Sequence, residues 1–146
     1  MWWVPEGQPV DPSFLGDFQP ETTLYEYDAP LVFTCRDDRD GLLLAYNLLG
    51  EGYVLRFLVV AVDETVIAGL TSGRTDIIGV LRQPRTWIVD VAQGWRIQRA
   101  WRATFERIPA DRLPKPAVML WPWLDPLSET GLPGENILST RAPFVK

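Results

Sequence analysis

Hydrophobic and polar residues alternate along several short stretches of the chain, and this period of two predicts β-strands. Leu31, Phe33 and Cys35 fall on one face of the stretch 31–37. The stretch 53–62 is apolar on both faces apart from Arg56, as expected of a central strand that is covered on both sides. Short turns at 38–41 and 50–52 join these stretches into an antiparallel meander. Further strands are predicted over 22–29, 42–49, 86–91 and 117–120.

Between the strands 53–62 and 86–91 the hydrophobic pattern changes to a helical period. Asp63 is a good cap for a short helix over 64–70, and Thr75 for a second helix whose apolar residues end at Leu81. Pro84 stops the second helix. We therefore predict an α+β fold: an antiparallel meander sheet of five to six strands with two short helices on one face.

The stretch 95–105 fits two patterns. As a strand, it places Trp95, Ile97 and Trp101 on one face, with Arg99 as a polar exception. As a helix, it places Ile97, Trp101 and Phe105 on one stripe. The Gln-Gly pair that precedes the stretch is typical of a hairpin turn and favours the strand.

The two ends of the chain differ from its middle in their proline content. The chain has 146 residues and 13 prolines, a length typical of one domain and a proline content above the usual ~5%. Residues 1–21 predict an irregular aromatic arm, 22–120 an α+β scaffold and 121–146 a proline-rich tail. The arm either packs on its own domain or docks on another molecule.

The segments LYEYDAPLVFTC, LLLAY, FLVVAV, LTSG, RTWIVDV and IPADRLPKP, in this order, make a recognisable series. Over roughly residues 22–118 it resembles a group of small uncharacterised bacterial α+β domains. The resemblance implies their fold, but it brings no established activity and no catalytic residue. Both aromatic ends lie outside the matched part.

The residue types in the chain restrict the chemistry that it can perform. It has no histidine and one cysteine, Cys35, which falls on a predicted core face. Serine and cysteine hydrolase machinery and histidine-based zinc sites are therefore excluded, and no phosphate-binding loop is present. We predict a protein that is not an enzyme and has no catalytic residue, cofactor or metal. The alternative is an enzyme using carboxylates and a divalent metal, through Asp37, Asp38 and Asp40, or through a pairing of Glu26 with Asp28.

A second alternative is an RNA or single-stranded DNA binder. Arg96, Arg99 and Arg102 alternate with Trp95 and Trp101, and arginines beside aromatic rings commonly hold single strands. The net charge of −5 opposes a broad surface for polyanions. A hairpin with a solvated arginine face is the structural explanation of the same residues.

The tryptophans point to a partner. Four of the seven, Trp2, Trp3, Trp121 and Trp123, lie in the two ends of the chain. They either complete the core or bind a partner, since tryptophan is enriched at interface hot spots. We predict a non-catalytic protein–protein interaction module, an accessory, regulatory or inhibitory subunit of a bacterial system, that binds another protein or itself. No small-molecule substrate is evident. With no signal sequence and no apolar stretch that could cross a membrane, we expect a cytoplasmic protein.

Overall fold

The described residues form one antiparallel sheet of seven strands. The computed structural model describes residues 3–5, 7–26, 30–49, 53–116 and 118–120. In the order β1-β7-β6-β5-β4-β3-β2, each strand runs antiparallel to its neighbours. The strands are β1 (Pro9–Val10), β2 (Thr22–Glu26), β3 (Pro30–Arg36), β4 (Leu42–Asn47), β5 (Leu55–Ala61), β6 (Thr86–Ala92) and β7 (Arg96–Arg102).

The predicted α+β class with two helices and five to six strands is wrong, because the sheet dominates the fold. Helix α1 (Glu64–Thr71) begins at Asp63, whose Oδ1 accepts a hydrogen bond from the amide of Val66 at 2.9 Å. The second predicted helix has only five residues, Ile77–Leu81, which is little more than one turn. Asp76 caps it and the backbone leaves the helical region at Arg82, so the segment is too short to form a layer. The seventh strand comes from the N-terminal arm.

Hydrophobic side chains cover the sheet on both faces. The helix-side face carries Leu44, Leu58 and Ile88, which pack with residues of α1, of the short helix and of the segment 105–120. That segment contains two 3-10 turns, Phe105–Arg107 and Ala110–Arg112. Residues 118–120, predicted as part of a strand, are not in one. The opposite face, here the arm-side face, is covered by the N-terminal arm, and its buried residues are Leu15, Phe18, Phe33, Cys35, Leu43, Ala45, Phe57, Val59, Trp87, Val89, Val91 and Ala100.

The N-terminal arm passes from one face of the sheet to the other around the β7 edge. Trp3 packs on the helix-side face. Pro9 and Val10 then pair with Trp101 and Ala100, which is possible for a proline because β1 is an edge strand. After a 3-10 turn, Pro12–Leu15, Phe18 is buried on the arm-side face. The described part of the arm therefore packs on its own domain.

The hairpin between β6 and β7 contains an irregularity that decides which side chains share a face. The stretch 96–102 is a strand, as the hairpin turn favoured. The register shifts between Asp90 and Val91, so that Asp90 pairs with Arg99 but Val91 pairs with Ile97. This bulge reverses the alternation along β7. The prediction that Trp95 and Trp101 share a face is wrong, because Trp95 packs on the arm-side face and Trp101 on the helix-side face.

Candidate functional site

A buried ion pair lies on the helix-side face of the sheet. Arg56 on β5 is opposite Asp90 on β6. Its Nε donates to Asp90 Oδ1 at 2.6 Å and its Nη2 to Oδ2 at 2.8 Å. Arg56 is 4% exposed and Asp90 8% exposed. Because both charges are removed from water, each depends on the other for compensation.

The guanidinium group of Arg56 also holds the N-terminal arm. Its Nη1 donates a hydrogen bond to the carbonyl oxygen of Trp3. Its central carbon lies 5.4 Å from the ring centroid of Trp3 and 5.3 Å from that of Trp101. Such cation–π contacts gain strength where the cation is desolvated. Trp3, which was predicted as a partner-binding residue, is thus a half-buried part of this cluster, while Trp2, Trp121 and Trp123 lie outside the described residues.

Three exposed apolar side chains lie near residues of the Arg56 cluster in the chain or in the sheet. Within the described ranges, the large hydrophobic side chains that are exposed are Val4 at 70%, Leu49 at 64% and Tyr53 at 91%. Val4 follows Trp3. Leu49 follows Leu48, whose amide donates to the carbonyl of Arg56 at 2.7 Å. We call Val4, Leu49 and Tyr53 the apolar end.

Leu49 has an unfavourable backbone conformation. Its φ of 68° is in the left-handed region, which costs a residue with a side chain roughly 1–2 kcal/mol. The amide of Leu49 donates to Oδ1 of the buried Asn47 at 2.6 Å, and this bond fixes the conformation. The strained backbone thus holds an exposed leucine at the apolar end. Leu49 and Tyr53 escaped the sequence analysis because a single exposed apolar residue looks the same as a buried one in the pattern.

The three arginines predicted for nucleic-acid binding do not form one surface with the tryptophans. All three are exposed. Arg96 and Arg99 lie on the helix-side face, where the Arg99 guanidinium is 5.8 Å from the ring centroid of Trp101. Arg102 pairs with Trp87 and lies on the arm-side face. Trp95 packs against phenylalanines and Trp101 is 5% exposed, so neither offers a free face of the kind on which a base stacks.

Arg102 belongs to a different arginine group. Its guanidinium lies 5.7 Å from the ring centroid of Trp87, and that of Arg85 lies 5.4 Å from the same ring. The guanidinium of Arg82 lies 5.1 Å from the ring centroid of Phe105. In the described part of the chain, none of these three arginines forms a salt bridge. Arg82 and Arg85 could not be recognised from the sequence, because they come near Arg102 only in the folded chain.

A cleft opens between two of these arginines, and we call it the arginine cleft. Its volume is about 500 Å³, within the range of ligand sites. One wall is the loop after the short helix and the other is the chain that follows β7. The lining residues are Arg82, Gln83, Pro84, Arg102, Ala103, Thr104, Phe105 and Glu106.

Hydrogen bonds hold both walls of the arginine cleft in place. The amide of Ala103 donates to the carbonyl of Thr86 at 2.9 Å and ties one wall to the other. The hydroxyl of Thr86 donates to the carbonyl of Gln83 at 2.7 Å, and Gln83 Nε2 donates to the carbonyl of Val80 at 2.8 Å. The cleft is therefore a preformed feature with two cationic side chains and one carboxylate, Glu106, at its rim.

Asp37 and Cys35, which were considered for carboxylate and thiol chemistry, have structural roles. Asp37 Oδ1 accepts hydrogen bonds from the amides of Arg39 at 2.9 Å and Gly41 at 2.6 Å, as in a tight turn. Cys35 is buried, and burial, with smaller effects from Glu21 and Asp37, raises its pKa from 9.0 to about 12. Asp28 lies outside the described residues. No group of three or more histidine, cysteine, aspartate or glutamate residues in the described ranges could hold a metal ion.

Comparisons with known proteins do not assign this chain to a family. No protein-family model matches it, and no curated protein or solved structure gives a significant match. Among the described residues, no helix has the length and apolar character needed to cross a membrane.

Proposed function

We propose that the chain is a non-catalytic protein–protein interaction module of the cytoplasm, an accessory, regulatory or inhibitory subunit, and that it binds its partner through the apolar end. The observation that carries this proposal is the exposure of Val4, Leu49 and Tyr53, to 70%, 64% and 91%, beside residues at the end of the sheet where β5 begins. Tyrosine is enriched at interface hot spots, and a large exposed apolar side chain gains most when a partner covers it.

The rigidity of the apolar end supports this proposal. The backbone of Leu49 is held with a positive φ by the hydrogen bond to Asn47, and Trp3, which precedes Val4, is bound by Arg56. A backbone that is already ordered loses less conformational entropy on binding. Backbone strain of this kind often lies at functional sites.

The test is a comparison of matched baits in an affinity capture from the source organism. The baits are the wild-type chain, Tyr53→Ser, Leu49→Ser, and Arg74→Gln as an exposed control. We expect one protein, or a second copy of this chain, to be captured in stoichiometric amount by wild type and Arg74→Gln and lost with the other two. Capture by no bait, or equally by all four, would contradict the proposal.

A further inference from the structure

We infer that the arginine cleft binds an acidic segment of a protein through the carboxylates of its side chains. This inference rests on the proposed function for the origin of the segment, but it concerns a different surface. The cleft lies at the end of the sheet where β6 begins and β7 ends, whereas the apolar end lies where β5 begins.

The charges of the cleft favour an anion. Arg82 and Arg102 line it, and Arg85 shares the Trp87 ring with Arg102, although the chain as a whole has a net charge of −5. Like charges that lie close together repel one another, and no carboxylate forms a salt bridge with any of the three within the described residues. A carboxylate bound in the cleft reduces this repulsion and accepts charge-assisted hydrogen bonds from the planar guanidinium group of Arg82 or of Arg102.

The aromatic rings under the arginines restrict the positions of the guanidinium groups before a ligand binds. Arg82 lies over Phe105, and Arg85 and Arg102 lie near Trp87. These contacts limit the rotamers of long side chains that are otherwise free, and so reduce the entropy lost when a ligand is bound. The rings themselves are buried, Trp87 at 6% and Phe105 at 9% exposure.

The same features favour an acidic peptide over a nucleic acid. A single strand is held by bases that stack on exposed rings and by a long cationic track, whereas both rings here are buried and covered by arginine. Glu106 at the rim repels a polyphosphate backbone and the carboxylates of an acidic peptide alike. A peptide, however, carries backbone N–H groups that can donate to Glu106 while its carboxylates meet Arg82 and Arg102.

Fluorescence anisotropy with a labelled hexaglutamate peptide tests the inference, with hexaglutamine and a decathymidylate oligonucleotide as comparison probes. We expect hexaglutamate to bind most tightly, and Arg82→Gln and Arg102→Gln each to weaken it at least tenfold. Arg96→Gln is the matched control, since Arg96 is exposed at the opposite end of the strand that carries Arg102, and it should leave the affinity unchanged. Glu106→Gln should tighten binding severalfold, a gain that misfolding cannot produce.

Three results would overturn the inference: no binding of hexaglutamate, equal weakening by Arg96→Gln and Arg102→Gln, or tighter binding of decathymidylate through the same arginines. Different results would contradict the proposed function. If hexaglutamate binds at the cleft but no captured protein depends on Tyr53 and Leu49, the interface at the apolar end is wrong and the cleft remains. If a Tyr53-dependent partner is captured but hexaglutamate does not bind, only the inference is wrong.

Discussion

Arg56 and Asp90 face each other across β5 and β6 and form a two-point ion pair inside the protein, with N–O distances of 2.6 and 2.8 Å. Removing Asp90 leaves the buried charge of Arg56 without a carboxylate partner. We expect Asp90→Ala to lower the free energy of unfolding by about 3–5 kcal/mol. The double variant Arg56→Met/Asp90→Leu removes both charges and should lose much less stability than Asp90→Ala. Urea denaturation of the three proteins measures this, and a double variant no more stable than Asp90→Ala would contradict it.

Trp95 combines a strained backbone with a buried ring contact. Its φ is 63°, and its ring centroid lies 5.5 Å from that of Phe33 and 5.7 Å from that of Phe57. Trp95→Ala loses the ring but keeps the strain, whereas Trp95→Gly relieves it. We therefore expect the glycine variant to be more stable than the alanine variant by about 1 kcal/mol.

The control for this comparison is Arg96, an exposed strand residue without a positive φ. There the order should reverse, with alanine more stable than glycine by roughly 0.5–1 kcal/mol. Thermal unfolding of the four variants measures both differences in stability. The same order at both positions would mean that the conformation of Trp95 carries no strain.

Cys35 makes stability depend on pH in the alkaline range. Burial raises the pKa of its thiol from 9.0 to about 12, so the unfolded chain ionises first as pH rises. The stability contributed by Cys35 is complete below pH 9 and is lost between pH 9 and 12, by about 1.4 kcal/mol per pH unit.

Urea denaturation of wild type and Cys35→Ala at pH 8 and pH 10 isolates this effect, because other alkaline groups titrate in both proteins. The difference in unfolding free energy between the two should shrink by about 1.4 kcal/mol at the higher pH. A difference that does not change with pH would show that the thiol ionises equally in the folded and unfolded chains.

Phe18 makes the N-terminal arm a part of the core. Its ring is 2% exposed and lies 5.7 Å from Phe33 and 5.9 Å from Phe57. Phe18→Ala should cost about 3–5 kcal/mol, as for other buried aromatic residues. Phe14→Ala should cost clearly less, because Phe14 is only half-buried beside Trp87. Equal losses in chemical denaturation would mean that the arm is not anchored mainly by Phe18.

The strands were easier to predict from the sequence than their pairing and register. The stretch 31–37 overlaps β3 because its residues alternate between two faces, and the stretch 53–62 contains β5 because apolar residues on both faces favour a central strand. The pair Pro9–Val10 could not be predicted, since a two-residue strand has no period and forms only because the β7 edge is available. The bulge at Asp90–Val91 has no signal in the hydrophobic pattern, and it moved Trp95 to the other face.

The candidate sites show the same difference: single residues could be identified from the sequence, but their contacts could not. Arg102 was identified because it alternates with aromatic residues in one stretch of chain. Its association with Arg82 and Arg85 depends on the pairing of Trp87 with Arg102, a contact between two strands that no local pattern contains. Trp3 was identified by residue type alone, and its contact with the buried Arg56 depends on the path of the whole arm.

The path of the N-terminal arm also sets the order in which the protein can be completed during synthesis. The arm precedes β2 to β7 in the chain, yet β1 pairs with β7, the last of the described strands. Until Ala100 and Trp101 are outside the exit tunnel, the arm has no sheet edge to bind, and a contact of such long sequence separation forms slowly. We therefore expect β1 to pair late in translation, whereas Phe18 can pack on Phe33 and Phe57 before β7 emerges.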